Sequence, residues 1–173
     1  CDMLITSAGV SVGDHDYVRA AFGDSGVRLL FWKVAQRPGH PMTFGCKGSR
    51  PVFGLPGNPV SSLVSFILYV RPALLKMMGH KNLFMPVVRA RITHEIKTAR
   101  GLKEFVRCRL EEKNGRFLAS STGAQSSGVL RSLSLAQGLI VAREDQTVLR
   151  KGSYAPVILL DHRARWLQKE MGF

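Results

Sequence analysis

Residues 54–61, GLPGNPVS, join two different apolar patterns. Before them, Val52-Phe53-Gly54-Leu55 is a short apolar run, which reads as a buried strand. After them, Val60, Leu63, Val64, Ile67, Leu68, Leu74, Leu75 and Met78 recur at the three- and four-residue steps of one helix face. The joint suits a helix start. Asn58 can cap an orphan N–H of the first turn, Pro59 falls where a missing N–H costs nothing, and Gly57 permits a positive φ or close approach by a ligand. A helix therefore opens at the carboxyl end of a strand. Its free amides, with the hydroxyls of Ser61 and Ser62, suit an anion such as phosphate. A well-capped turn with no ligand accounts for the same residues. Pro72 predicts a kink or restart near Arg71, and Gly79 predicts the helix end.

Upstream, the same strand-then-loop pattern recurs. Met3 to Thr6 is an apolar run, followed by the small-residue loop SAGVSVGDHD and a helix predicted from about Asp16 to Phe22. Gly9 and Gly13 permit tight turns with exposed amides, and Ser7 and Ser11 add hydroxyl donors, the makings of an anion nest. Asp14 and Asp16 are two of only four carboxylates in the first 80 residues. Paired carboxylates beside phosphate-directed amides suit Mg²⁺, while an N-cap role explains either aspartate as well. VRLLFWKVA, Val27 to Ala35, reads as a second strand ending in the rigid turn Gln36-Arg37-Pro38-Gly39-His40-Pro41. Lys33 and Arg37 lie near its end. Arg37 offers a planar fork for an oxyanion, Lys33 a compact charge, and His40 a further donor. Met42 to Cys46 and Pro51 to Leu55 form a hairpin around Lys47-Gly48-Ser49-Arg50. Residues 1–80 thus predict an incomplete open α/β sheet, with ligands bound outside the carboxyl ends of its strands.

After a linker over Gly79 to Pro86 the period changes to two. Val88, Ala90, Ile92 and Ile96 face one way, against Arg89, Arg91, Thr93 and Glu95. Val106, Cys108 and Leu110 alternate with Arg107, Arg109 and Glu111, and Asn114-Gly115 marks a hairpin returning through Phe117 to Ser120. A short helix over Gln125 to Leu133, then strands over Leu139 to Ala142 and Tyr154 to Leu160, complete a small β-barrel over 81–160. Residues 161–173 read as a tail, a helix that packs Trp166 and Leu167.

Composition sets bounds. At 173 residues and 45% hydrophobic content, the chain can bury one or two cores. No apolar run approaches the ~18 residues of a membrane span, which argues against a membrane partner. The start, Cys1-Asp2-Met3, is acidic rather than signal-like, and reads as a break inside a domain. Three cysteines without a CxxC, and five histidines without ligand spacing, argue against disulfides or zinc and for a reducing, cytoplasmic setting. The net charge of +13 suits an anionic partner. The basic residues are dispersed and lack aromatic interleaving, which disfavours nucleic acid.

SAGVSVGDHDYV, FWKVAQRPGHPMTFG and GLPGNPVSSLVSF, in that order and spacing, resemble the MoeA/gephyrin family of molybdopterin molybdenumtransferases. KEFVRCRL and GAQSSGVLRSLSLAQGLIVA are similar to that family's C-terminal barrel. The resemblance implies insertion of molybdate into adenylylated molybdopterin, with release of AMP and help from Mg²⁺. It implies that Asp16, Lys33 and Arg37 are catalytic and that Asp14 and Asp16 hold the metal. Ser7, Gly9, Ser11, Gly13, His40, Gly57, Asn58, Pro59 and Ser61 would bind the pterin phosphate and the oxyanion. Three positions depart from the family: Ala8 replaces a loop glycine, with reduced amide exposure expected, Arg37 keeps the charge where lysine is common in some members, and His40 replaces a turn lysine. The resemblance further implies a homodimer for the full-length protein, and a fragment here that is inactive alone. A non-enzymatic scaffold and an adenylyltransferase-like pterin-binding protein are the alternatives.

Overall fold

The computed structural model describes residues 1–9, 17–126 and 128–160. The predicted tail, 161–173, and the Ser11, Gly13, Asp14 and Asp16 assignments lie outside the described residues. The chain divides into two compact units, Cys1–Leu83 and Phe84–Phe173.

In the first unit, β1 (Leu4–Ser7), β2 (Arg28–Phe31), β4 (Thr43–Lys47) and β5 (Arg50–Leu55) form a sheet in the order β1-β5-β4-β2. β1 and β5 are parallel, and the other pairs are antiparallel. The hairpin β4–β5 closes over Gly48-Ser49, with Gly48 at φ 60, as a two-residue turn with glycine first requires. β5 is buried on both faces. Phe53 and Leu55 pack with Met42 and Val70, while Val52 packs oppositely with Phe22 of α1 (Tyr17–Asp24) and Val27. This is why its sequence is a continuous apolar run rather than an alternating one.

The second strand is shorter than predicted. The register shifts between Leu29 and Phe31, the pairing ends at Phe31 opposite Phe44, and Trp32–Ala35 leave the sheet. Val34 instead bonds the turn, donating to His40 O at 3.0 Å and accepting from Gln36 N at 2.8 Å. Gln36–Arg37 is the two-residue strand β3.

The helix that follows GLPGN runs as α2 (Pro59–Ser65), a π-helical turn (Phe66–Val70) and α3 (Arg71–Met77). The predicted disturbance near Arg71 is this wide turn. The Arg71 N–H bonds Phe66 O, five residues back, immediately before Pro72 supplies no N–H. The helix ends at Gly79 as expected. Gly79 (φ 82) N–H bonds Lys76 O, and His80 N–H bonds Leu75 O. The apolar stripe differs from the sequence reading. Leu63 is 42% and Met78 71% exposed, while Val60, Val64 and Val70 are fully buried. The wide turn shifts the phase of the residues beyond it, so one uninterrupted wheel misplaces those that follow. The 19-residue helix Pro59–Met77, with mean hydropathy 1.4, is also long and apolar enough to cross a membrane by length and composition, contrary to the expectation above. Its buried valines line this unit's core, which explains the same composition.

In the second unit β6 (Val87–Ile92), β8 (Lys103–Lys113), β9 (Arg116–Ser121), β10 (Gly138–Ala142) and β12 (Tyr154–Leu159) pair in the order β10-β12-β6-β9-β8. β10 pairs with β8 as well, closing a five-stranded barrel. A small sheet of β7 (Ile96–Lys97) and β11 (Val148–Leu149) adds Ile96 and Leu149 to the barrel core. Asn114 (φ 53) and Gly115 (φ 70) make the left-handed pair of a two-residue hairpin turn. The predicted helix over 125–133 is observed as α4, Leu130–Ser134. It starts late because the Gln125 side chain is spent on β8, accepting from Arg107 N at 2.8 Å and donating to Arg107 O at 3.2 Å.

Candidate functional site

Two loops of the first unit gather on one helix. Asn58 caps it: its Oδ1 accepts from Val60 N at 3.2 Å, and its carbonyl accepts from Ser62 N at 2.8 Å. Pro59 has no N–H, so the Ser61 amide is the first-turn donor that the cap does not use. The loop after β1 lies against this mouth. Ser7 Oγ donates to Pro56 O at 3.4 Å, and Ala8 N donates to Leu55 O at 3.1 Å. A Cβ on Gly57 would stand 3.0 Å from Ala8 Cβ, so glycine lets the two segments touch. Ala8 and Gly9 are both left-handed, with φ of 75 and 71. The Ala8 amide is thus engaged by the sheet, and the departure from glycine shows as backbone strain at a non-glycine residue.

The second loop lies one turn along the same helix. A Cβ on Gly39 (φ 98) would stand 2.5 Å from Ser65 Oγ and 3.5 Å from Ser61 O. Gln36, 2% exposed, braces this turn. Its Nε2 donates to Pro38 O at 3.0 Å, and its Oε1 accepts from Tyr69 OH at 2.5 Å. Burial pushes the Tyr69 phenol up, which keeps it a donor. Tyr69 lies in the π turn, so the irregular part of the helix supplies the brace. The Arg37–Pro38 bond is cis. His40 Nδ1 lies 2.7 Å from Val34 O and therefore carries the proton, which leaves Nε2 on this exposed ring to face outward. Ser65 Oγ is buried without a hydrogen-bond partner.

Of the sequence-predicted residues, Ser7, Gly9, Gly57, Asn58 and Pro59 surround the helix mouth, and Gly39 brings the Arg37–His40 turn against Ser61. Lys33 and Arg37 are exposed, Lys33 in the segment that leaves the sheet. Among the described residues no three of His, Cys, Asp and Glu converge on a metal position.

One residue was misread. Alternation along β8 places Arg107 on the solvent face with Arg109, yet its side chain is wholly buried. Its Nε donates to Ser132 Oγ at 2.7 Å, and its Nη2 reaches Ser126 O at 3.1 Å and Ala124 O at 3.4 Å. All three acceptors are neutral, and Nη1 has no partner. Burial lowers the guanidinium below its usual range. Such a cation holds an unused donor in an environment that favours an anion. The sequence signal was present in GAQSSGVLRS, whose hydroxyl and amide groups form the cover over β8.

A capped helix mouth receiving a glycine loop and a braced proline-glycine turn, on a chain that also carries a closed barrel, defines an open α/β unit followed in the chain by a small β-barrel. Residues 1–76 match the family described as probable molybdopterin binding domain, and residues 89–160 match the MoeA C-terminal region (domain IV). The chain belongs to the MoeA family. It is 37% identical over 161 residues to molybdopterin molybdenumtransferase 2 of Mycobacterium tuberculosis, covering 90% of this chain and 39% of that protein. It is 36% identical to gephyrin of Dictyostelium discoideum, over 92% of this chain and 25% of that one. The solved molybdopterin biosynthesis MoeA protein of Pyrococcus horikosii superposes with a TM-score of 0.70 at 26% identity, over 92% of this chain and 37% of that one.

Proposed function

We propose that this chain forms part of a molybdopterin molybdenumtransferase, which inserts molybdate into adenylylated molybdopterin and releases AMP. The observation that carries the reading is the seating of both the Ser7–Gly9 loop and the Gly39 turn on the first two turns of one capped helix. That arrangement supplies amide and hydroxyl donors for a phosphate, with Lys33 and Arg37 as nearby cations for charge that develops when the anhydride opens. Molybdate, a dianionic substrate, requires a second group of donors. The unpartnered hydroxyl of Ser65, buried against the Gly39 turn, is one such donor within this unit.

Mg²⁺ belongs to this proposal through Asp14 and Asp16, where it would neutralise phosphoryl charge. His40 replaces a permanent cation, so Arg37 carries more of the oxyanion binding. The full-length protein is proposed to be a cytoplasmic homodimer.

Calorimetric titration of the chain with molybdate and with AMP, with and without Mg²⁺, tests the reading. Arg37→Ala should weaken molybdate binding at least tenfold, as expected for loss of a charge-assisted hydrogen bond. Asp16→Asn should remove any Mg²⁺ dependence of AMP binding. No heat from wild-type chain at millimolar molybdate and AMP would refute it.

A further inference from the structure

We propose that the outer face of the barrel carries a separate anion site, formed by Arg91 and Lys151, for a small phosphate monoester bearing an apolar ring. A cavity of about 250 Å³ is lined there by Arg91, Ile92, Thr93, Leu118, Lys151 and Gly152. Both cations stand on fixed backbone. Arg91 lies in β6, hydrogen-bonded between β12 and β9, with Tyr154 and Leu118 as its cross-strand partners. Lys151 lies in a closed turn: Ser153 N and Oγ both donate to Arg150 O, at 3.1 and 2.7 Å. That turn is tied back to β6, because Gly152 N donates to Ile92 O at 2.8 Å and Ile92 N donates to Ser153 O at 2.9 Å. Gly152 (φ 85) passes beneath the guanidinium, where a Cβ would stand 3.4 Å from Arg91 Nη2.

Neither cation has a hydrogen bond or ion pair among the described residues, and no carboxylate lines the cavity. The neighbouring charged groups are Glu111, opposite Leu118 in the β8–β9 register, and Arg89, which stacks on Tyr154 at 5.8 Å. Thr93 Oγ1 is spent on Ala119 O and His94. The donors left for a ligand are therefore cationic, which selects an anion, and Leu118 supplies an apolar wall. The volume falls just below the usual range for drug-sized ligands, so it admits one small ring with its phosphate rather than a dinucleotide. The fixed backbone at both positions sets where the two cationic side chains emerge beside the cavity.

Residue-resolved NMR titration of the full chain tests this, with phenyl phosphate, inorganic phosphate and phenol as probes. Phenyl phosphate should shift the amides of Arg91, Leu118, Lys151 and Gly152 and bind at least tenfold tighter than inorganic phosphate; phenol should leave them unmoved. Arg91→Gln and Lys151→Gln should each weaken phenyl phosphate about tenfold. Lys151→Gln alters only an exposed turn side chain, so its folding is secure if Arg91→Gln proves unstable. Arg37→Ala should leave these shifts intact, which separates this site from the one on the helix mouth. Equal affinity for phosphate and phenyl phosphate, no shift at millimolar probe, or stronger binding of an oligonucleotide to the same amides would overturn the proposal.

Discussion

Gly39→Ala probes the junction between the proline-glycine turn and the helix. The added Cβ would meet Ser65 Oγ at 2.5 Å and Gln36 Nε2 at 2.6 Å. Ser65 is fully buried and Gln36 is 2% exposed, so neither can swing into solvent. The Gln36 amide must instead release Pro38 O, and an unpaired buried group costs about 1–3 kcal/mol. The left-handed backbone adds about 1–2 kcal/mol for a residue with a Cβ. Alanine's smaller unfolded-state entropy offsets about 0.4–1 kcal/mol. The net loss is about 3 kcal/mol, which at a urea slope of about 1.5 kcal/mol/M moves the midpoint down by about 2 M. Urea unfolding followed by far-UV circular dichroism measures it, and amide exchange assigns the loss to the first unit. Ser65→Ala removes a hydroxyl that has no partner and should itself be neutral or stabilising. In the double variant it should recover about 1 kcal/mol of the Gly39→Ala loss. A loss below 1 kcal/mol, or strict additivity of the two changes, would refute the packing described for this turn.

Three further outcomes are expected. Ala8→Gly should stabilise the first unit by about 0.5–1 kcal/mol in the same assay, since relief of the left-handed strain exceeds the added unfolded entropy; destabilisation would show that Ala8 is unstrained. Arg107→Met should cost no more than about 2 kcal/mol, because removing an uncompensated buried cation offsets the carbonyls left behind, whereas Arg107→Ala also opens a cavity and should cost more. Burial pushes the Cys108 thiol up to about 12, well above its ordinary value near 9. Its contribution to stability is therefore complete below pH 9 and lost as pH rises from 9 towards 12, because the unfolded chain releases that proton first. Wild type should lose stability faster than Cys108→Ala over that window, and parallel pH profiles would contradict the burial of the thiol.

Much of this fold is written in local chemistry. The Asn58-Pro59 start, the Gly79 stop, the Asn114-Gly115 hairpin and the alternation through Ala90 and Ile92 each depend on nearest neighbours, and each is found where the sequence puts it. The failures arose where distant groups compete. β2 stops early because Val34 is engaged by the His40 turn rather than by the sheet. Gln125 leaves the predicted helix because it is recruited by Arg107 across β8. Arg107 itself has the period of a solvent-facing residue, and only the tertiary cover of Ser126 and Ser132 encloses it. Gly57 and Gly39 were legible as permissive positions, but which segments approach them is a property of the assembled unit.

The wide turn at Phe66–Val70 makes the long helix unforgiving of length changes. An α-helix advances about 100° per residue. Because the wide turn takes up one extra residue, deleting one there would restore ordinary winding and leave α2 and α3 nearly in phase, so the damage falls on the turn's own contacts. Pro72 would then confront a carbonyl that the extra residue now clears, and Tyr69 would lose its aim at Gln36. Such a deletion should therefore disturb the Gly39 turn, about thirty positions earlier in the chain, more severely than most point substitutions in the helix itself.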